Sequence, residues 1–178
     1  MKKRGQVWIE TVLYTLIGLT LMGLALGFVM PKINEARDRA LVEQAISSLS
    51  DFDGKINEVI QTGTGNVRQT EFLMKKGEIY INSSHDEILM TISGLTKLYS
   101  EDGVEIDIGR IKVKSELGQK TSTVYLRAVY SSNVNLTYKG RDEGRKFTPA
   151  STPYNFFIEN KGTPNGQILI NLDEISNR

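Results

Sequence analysis

The 178-residue sequence contains no cysteine and a single histidine, His85, so disulfide frameworks, thiolate metal sites, cysteine nucleophiles and multi-histidine metal centres are excluded. Proline occurs four times and tryptophan once, at Trp8. Charge of one sign is lacking too: 22 Lys plus Arg stand against 21 Asp plus Glu. That balance leaves no electrostatic footprint for nucleic acid. The chain is long enough for one globular domain plus an anchor and too short for two sizeable cores. No internal repeat or low-complexity segment is visible.

What the sequence does have is a sharp asymmetry. Thr11 to Pro31 holds no charged residue, while charges crowd everything after it. About twenty helical residues rise about 30 Å, the thickness of a bilayer's hydrocarbon core, so this segment reads as a transmembrane helix. A secretory signal would have a shorter apolar stretch and a small-residue cleavage site behind it. Lys2, Lys3 and Arg4 before the span nearly balance Lys32, Arg37 and Arg39 after it, so positive-inside counting alone does not orient it.

The opening Met1-Lys2-Lys3-Arg4-Gly5-Gln6-Val7-Trp8-Ile9-Glu10 is a basic run, a glycine, a glutamine and an apolar stretch interrupted by one carboxylate. An ionised side chain inside a bilayer costs roughly 2.5–3.5 kcal/mol on insertion scales, which marks Glu10 as a functional-site candidate. The competing reading places Glu10 near the headgroups, where the helix macrodipole favours an anion.

This arrangement resembles the class III signal peptide of archaeal type IV pilins and archaellins, over roughly residues 1 to 60. The resemblance implies a leader recognised through Lys2, Lys3, Arg4, Gly5 and Gln6 and cut between Gly5 and Gln6. Glu10 then becomes the fifth residue of the mature chain, as in that family, and in related filaments that glutamate meets a neighbour's amine. Trp8 departs from the commonest archaeal pattern, which prefers a small residue there. The implied function is a structural filament subunit that assembles through its apolar helix without any cofactor. The implied partners are further copies of itself, the prepilin peptidase, a pilus assembly ATPase with its membrane platform protein, and membrane lipid before assembly. The precursor is expected in the membrane with its head outside the cell, and the mature form in a surface filament. A minor or tip pilin, a pseudopilin or an anchored adhesin shares the same leader and helix.

Past the span, Ile33, Ala36, Ala40, Leu41, Ala45, Leu49, Phe52, Ile56, Val59 and Ile60 recur mostly at spacings of three and four, which makes one helix face. One long helix from about Val7 to Gln61 is expected, kinked near Pro31; a hairpin broken at Ser50-Asp51 is the alternative. Gly23 and Gly27 form a G-x-x-x-G pattern that permits close helix approach. The organisation is therefore a leader (1–5), a filament-core helix (6–31), its amphipathic continuation (32–61) and a β-rich head (66–178).

Alternation over Glu78 to Asn82, Val104 to Ile108, Val124 to Tyr130, Val134 to Tyr138 and Ile168 to Leu172 suits strands. The fold class is α+β, a long helix packed on an antiparallel sheet or small sandwich. Gly109-Arg110 reads as a bulge or turn. Glu101-Asp102-Gly103, Ser131-Ser132 and Lys161 to Gly166 read as hairpin connections.

No nucleophile, base or metal constellation emerges, and no enzyme is expected. Asp51-Phe52-Asp53-Gly54 lacks the ligand spacing of a calcium loop and reads as a solvated helix face. The pairs Asp86-Glu87, Asp102 with Glu105, and Asp142-Glu143 read as surface turns. Asn82 and Asn135 head two N-glycosylation sequons, and alternation points Asn135 and Thr137 outward.

Overall fold

One helix, α1 (Lys3–Thr62), dominates the first third of the chain. The computed structural model describes residues 3–130 and 132–175, with side chains from Trp8 onward. The helix continues without interruption past Ser50-Asp51, and Pro31 lies inside it. It stops where Gly63, at φ 95°, takes the left-handed conformation that a Cβ disfavours. The Asn160 carboxamide donates to the Val59 carbonyl there (3.2 Å), satisfying one of the helix's unpaired C-terminal acceptors.

The chain divides into two compact units, residues 1–37 and 38–178. In the second, α1 is followed by β1 (Val67–Phe72), β2 (Glu78–Asn82), a 3-10 turn at Ser83–His85, β3 (Glu87–Leu95), β4 (Glu105–Ile108) and β5 (Ile111–Leu117). Then come β6 (Ser122–Val129), β7 (Val134–Tyr138), β8 (Arg145–Phe147), β9 (Tyr154–Asn160) and β10 (Ile168–Ile175).

Two sheets form, ordered β1-β9-β10-β7 and β4-β5-β6-β3-β2-β8. Period-two patterning sends Ile79 and Ile81, Ile88 to Ile92, Ile111 and Val113, and Val124 to Ala128 of the larger sheet inward. From the smaller sheet come Phe156, Ile158, Ile170, Leu172, Val134 and Leu136.

The helix packs on both sheets. Phe52 meets Phe72 and Phe156 edge-on, with centroids 5.7 and 5.3 Å apart. Ala45 and Leu41 lie beside Met90 and Ile92 of β3. Phe147 of β8 in turn reaches Phe156 and Tyr138 of the smaller sheet, at 5.3 and 5.9 Å. The fold is therefore the α+β class expected, a long helix against a two-sheet head.

Several finer expectations are corrected. The smaller sheet is mixed, because β10 runs parallel to β7. A parallel neighbour needs a crossover, and residues 139 to 167 supply it through β8 and β9. Ser132 does not belong to a hairpin, since β6 and β7 lie in different sheets; Ser131 lies outside the described residues. Glu101-Asp102-Gly103 joins β3 to β4, which are separated by β6 and β5. Gly103 donates instead to the Ser115 carbonyl (2.8 Å). Lys161 to Gly166 does connect neighbouring antiparallel strands, and Gly109-Arg110 is the β4–β5 turn.

The buried helix stripe starts later than the spacing suggests. Ile33, Ala36 and Ala40 are exposed, whereas Val42, Ala45, Ile46, Leu49, Phe52, Ile56 and Val59 are buried.

Candidate functional site

The least satisfied surface is the apolar half of α1. Every large hydrophobic side chain from Trp8 to Ile33 is exposed, Phe28 reaching 78%. In water such a surface is unfavourable at roughly 25 cal/mol per Å², so an apolar medium or other helices must cover it. By length and composition the segment can cross a membrane. Two of its hydroxyls are paired within the helix: Thr15 donates to the Thr11 carbonyl and Thr20 to the Leu16 carbonyl, both at 2.8 Å, so neither carries an unpaired proton into hydrocarbon. The sequence reading missed these bonds, although threonine at interior helix positions is their signal.

Gly18, Gly23 and Gly27 leave open space where a Cβ would sit, with nothing within 4 Å. Gly23 and Gly27 are one helical turn apart and so share a face, on which another helix can approach closely. Glu10 is exposed near the beginning of this segment, with no partner among the described residues. Lys2 lies outside the described residues, and Lys3, Arg4, Gly5 and Gln6 are described only as the backbone of the first turns of α1.

In the head, the most densely linked polar group joins α1 to the β4–β5 turn. Asp53 is not solvated, contrary to the sequence reading. It is 3% exposed, because α1 turns this position toward the head. Its Oδ2 accepts from Arg110 Nε (2.9 Å) and Asn57 Nδ2 (3.0 Å). Burial first, then the Asp53 carboxylate, pushes the Tyr130 hydroxyl well above the ordinary tyrosine range. A shallow depression of about 400 Å³ beside them is lined by Asn57, Ile60, Arg110, Val129, Tyr130 and Val134. With its carboxylate neutralised and held by donors, this group acts as a tether.

The outer face of the larger sheet carries a lattice of exposed ion pairs. Lys112 bridges Glu105 (2.9 Å) and Asp107 (3.4 Å), and Arg127 also reaches Glu105 (3.0 Å). The hydrogen bond from Lys112 holds the Glu105 carboxyl below its usual range, and Glu105 raises Lys112 in return. Exposed pairs of this kind contribute little to stability.

The remaining carboxylate pairs fall on turns and edges. Asp86 accepts from the Leu136 N–H (2.7 Å), and Asp102 from the Leu117 N–H (2.8 Å). Asp142 and Glu143 are exposed. His85 is exposed, its Nδ1 3.4 Å from Asn82 Oδ1. Among the described residues no three His, Asp or Glu side chains converge as metal ligands.

The two sequons differ in surroundings. Asn82 is half-buried and donates to Glu87 Oε1 (3.0 Å), with Ser84 exposed. Val134, Leu136 and Tyr138 do face the core, yet the outward Thr137 is 8% exposed. Asn171 of β10 covers it: the Thr137 hydroxyl lies 3.2 Å from Asn171 Oδ1, which also accepts from the Gly140 N–H (2.6 Å). Outward parity on a sheet therefore does not make this sequon open.

No family model matches the chain, and neither a curated protein nor a solved structure is significantly similar to it.

Proposed function

We propose that this protein is a structural subunit of a type IV pilus-like surface filament of the archaeal kind, assembled through its N-terminal helix after a leader is cleaved. The supporting observation is the contrast within one helix. The charge-free run Thr11 to Pro31 has its large hydrophobic side chains exposed, while Val42, Ala45, Ile46, Leu49, Phe52, Ile56 and Val59 are buried in the head core. A subunit built this way can exchange lipid for neighbouring helices without remaking its head. Gly23 and Gly27 allow the close approach such a bundle requires.

In this reading the prepilin peptidase reads Lys2, Lys3 and Arg4 and cuts after Gly5. The new Gln6 amine, with an unperturbed pKa of about 7.7–8.0, is positively charged near neutral pH. Glu10 of an adjacent copy supplies its counter-charge and favours the correct stagger, whatever the net stabilisation after desolvation. The assembly ATPase and platform protein drive extrusion, and Asn82 is the more open of the two glycosylation acceptors.

Labelling of cells with an antibody against the head tests this function. Decoration along thin surface filaments is expected; label confined to the cell envelope contradicts it.

A further inference from the structure

We infer that the free edge of β4 is a docking site for an extended segment of another protein, in which apolar residues alternate with lysine or arginine. The site lies wholly within residues 38–178 and is independent of the filament reading. A strand bound there would lengthen the six-stranded sheet and tie a partner to the head through main-chain hydrogen bonds.

Strand pairing leaves this edge open. Gly109, at φ 62°, and Arg110 make a two-residue turn, so the pair that closes it, Ile108 and Ile111, is hydrogen-bonded. Bonded and non-bonded pairs alternate along an antiparallel ladder. Ile106 therefore bonds Val113, whereas Asp107 and Glu105, opposite Lys112 and Lys114, turn their N–H and C=O groups away from β5. β4 is the last strand of its sheet, and these groups meet no backbone partner among the described residues.

The other sheet edges are closed by inward charges or by caps. On β1, Arg68 lies on the inner face, opposite the buried Ile158, and pairs with Glu58 of α1 (2.9 Å). On β8, Arg145 takes the same place opposite the buried Ile81. On β7, the Leu136 N–H donates to Asp86 (2.7 Å), and Tyr138 exchanges two backbone bonds of 3.0 Å with Arg141. β4 has neither device. Its inner row is Ile106 and Ile108, preceded in the same alternation by Val104, and Val104 and Ile106 are 42% and 37% exposed.

Charge selects the occupant. Residues 101–108 contain four acids, Glu101, Asp102, Glu105 and Asp107, and no base. The bases on the adjoining turn and strands are engaged: Lys112 bridges Glu105 and Asp107, Lys114 holds Glu116, Arg127 reaches Glu105 and Glu87, and Arg110 holds Asp53. With the carboxylates they hold, seven acids stand against these four bases, and the Asp107 side chain is 69% exposed. A second copy of β4 fits badly here. Antiparallel pairing centred on Ile106 would set Glu105 against Asp107, and like charges directly opposite destabilise. Lysine or arginine at those places meets the carboxylates instead, while the apolar residues between them extend the row of Val104, Ile106 and Ile108.

The test is fluorescence anisotropy of a labelled synthetic peptide alternating lysine and valine, titrated with the full chain in non-ionic detergent. Saturable binding that weakens in high salt is expected. A peptide with glutamate in place of lysine, and one N-methylated at alternate residues so that it cannot pair with a strand edge, should each bind at least about tenfold more weakly. Asp107→Pro removes an N–H that the fold leaves unused and should weaken binding about as much, with the urea midpoint checking that the head stays folded. The E105K/D107K variant should prefer the glutamate peptide. The N-methylated peptide probes the edge on the native chain, so the test stands even where a variant fails to fold. Absence of binding, or binding indifferent to N-methylation, overturns the edge site. An unchanged preference in E105K/D107K overturns the basic partner, and self-association of the chain that Asp107→Pro abolishes overturns it in favour of a second copy.

Discussion

Arg110 Nε donates to Asp53 Oδ2 over 2.9 Å, fastening the β4–β5 turn to the middle of the buried half of α1. The two ends of the bond differ in environment: the Asp53 side chain is 4% exposed and that of Arg110 59%. Arg110→Ala would leave the buried carboxylate without its guanidinium partner, still held by the Asn57 carboxamide. Because Arg110 faces water, the loss should be about 1–3 kcal/mol, below the 3–5 kcal/mol typical of a fully buried pair. A urea midpoint unchanged by Arg110→Ala would show that the tether is energetically idle.

Alkaline pH should weaken the head through Tyr138. Burial, and then the Glu174 carboxylate that accepts its proton at 3.1 Å, push this hydroxyl up to about 12. The folded state holds the proton more tightly than the unfolded chain, whose tyrosines titrate near 10. The stabilisation is complete below about pH 10 and is lost as pH rises toward 12. Unfolding midpoints measured across that window should fall in the native protein and fall less in Tyr138→Phe.

Removal of residues 1–31 should give a soluble monomer, because the exposed apolar surface goes and the stripe from Val42 to Val59 stays on its sheets. Size-exclusion chromatography with light scattering reads the outcome. Filaments formed by this truncation would show that the apolar helix is not the assembly element.

Much of this was legible in the sequence, and the parts that were not have identifiable physical causes. The charge-free run and the three- and four-residue spacing specified α1 to within a residue of its C-terminal end, since periodicity over many turns is a strong signal. Strands with clear alternation, such as Glu78 to Asn82 and Val134 to Tyr138, coincide with β2 and β7. The strand β9 was missed. Its Tyr154-Asn155-Phe156-Phe157 opening blurs the alternation, and Phe157 is half-exposed beside Gln69 and Asp173. Asp53 was misread because a carboxylate next to a glycine looks solvated, and its partner Arg110 is 57 residues away. The parallel placement of β10 beside β7 depends on a chain path between sheets that no local pattern encodes.

Glu10→Gln should insert and be cleaved normally yet assemble poorly. The amide keeps the size of the side chain and removes the charge that, in the proposed filament, neutralises a neighbour's Gln6 amine. An unmatched buried charge typically costs about 3–5 kcal/mol, and in a polymer that penalty repeats at every subunit. A role for Glu10 at the helix terminus alone predicts only about 0.3–1 kcal/mol and near-normal assembly. Filament yield at matched amounts of processed subunit distinguishes the two, and normal yield from the Gln variant would eliminate the pairing.

The most direct test of the central claim is mass spectrometry of filaments sheared from the cell surface. A chain beginning at Gln6 should be present in that material, stripped of Lys2, Lys3 and Arg4, which leaves 19 basic against 21 acidic residues. A chain that retains Lys2 to Gly5, or that is absent from surface filaments altogether, would contradict the account.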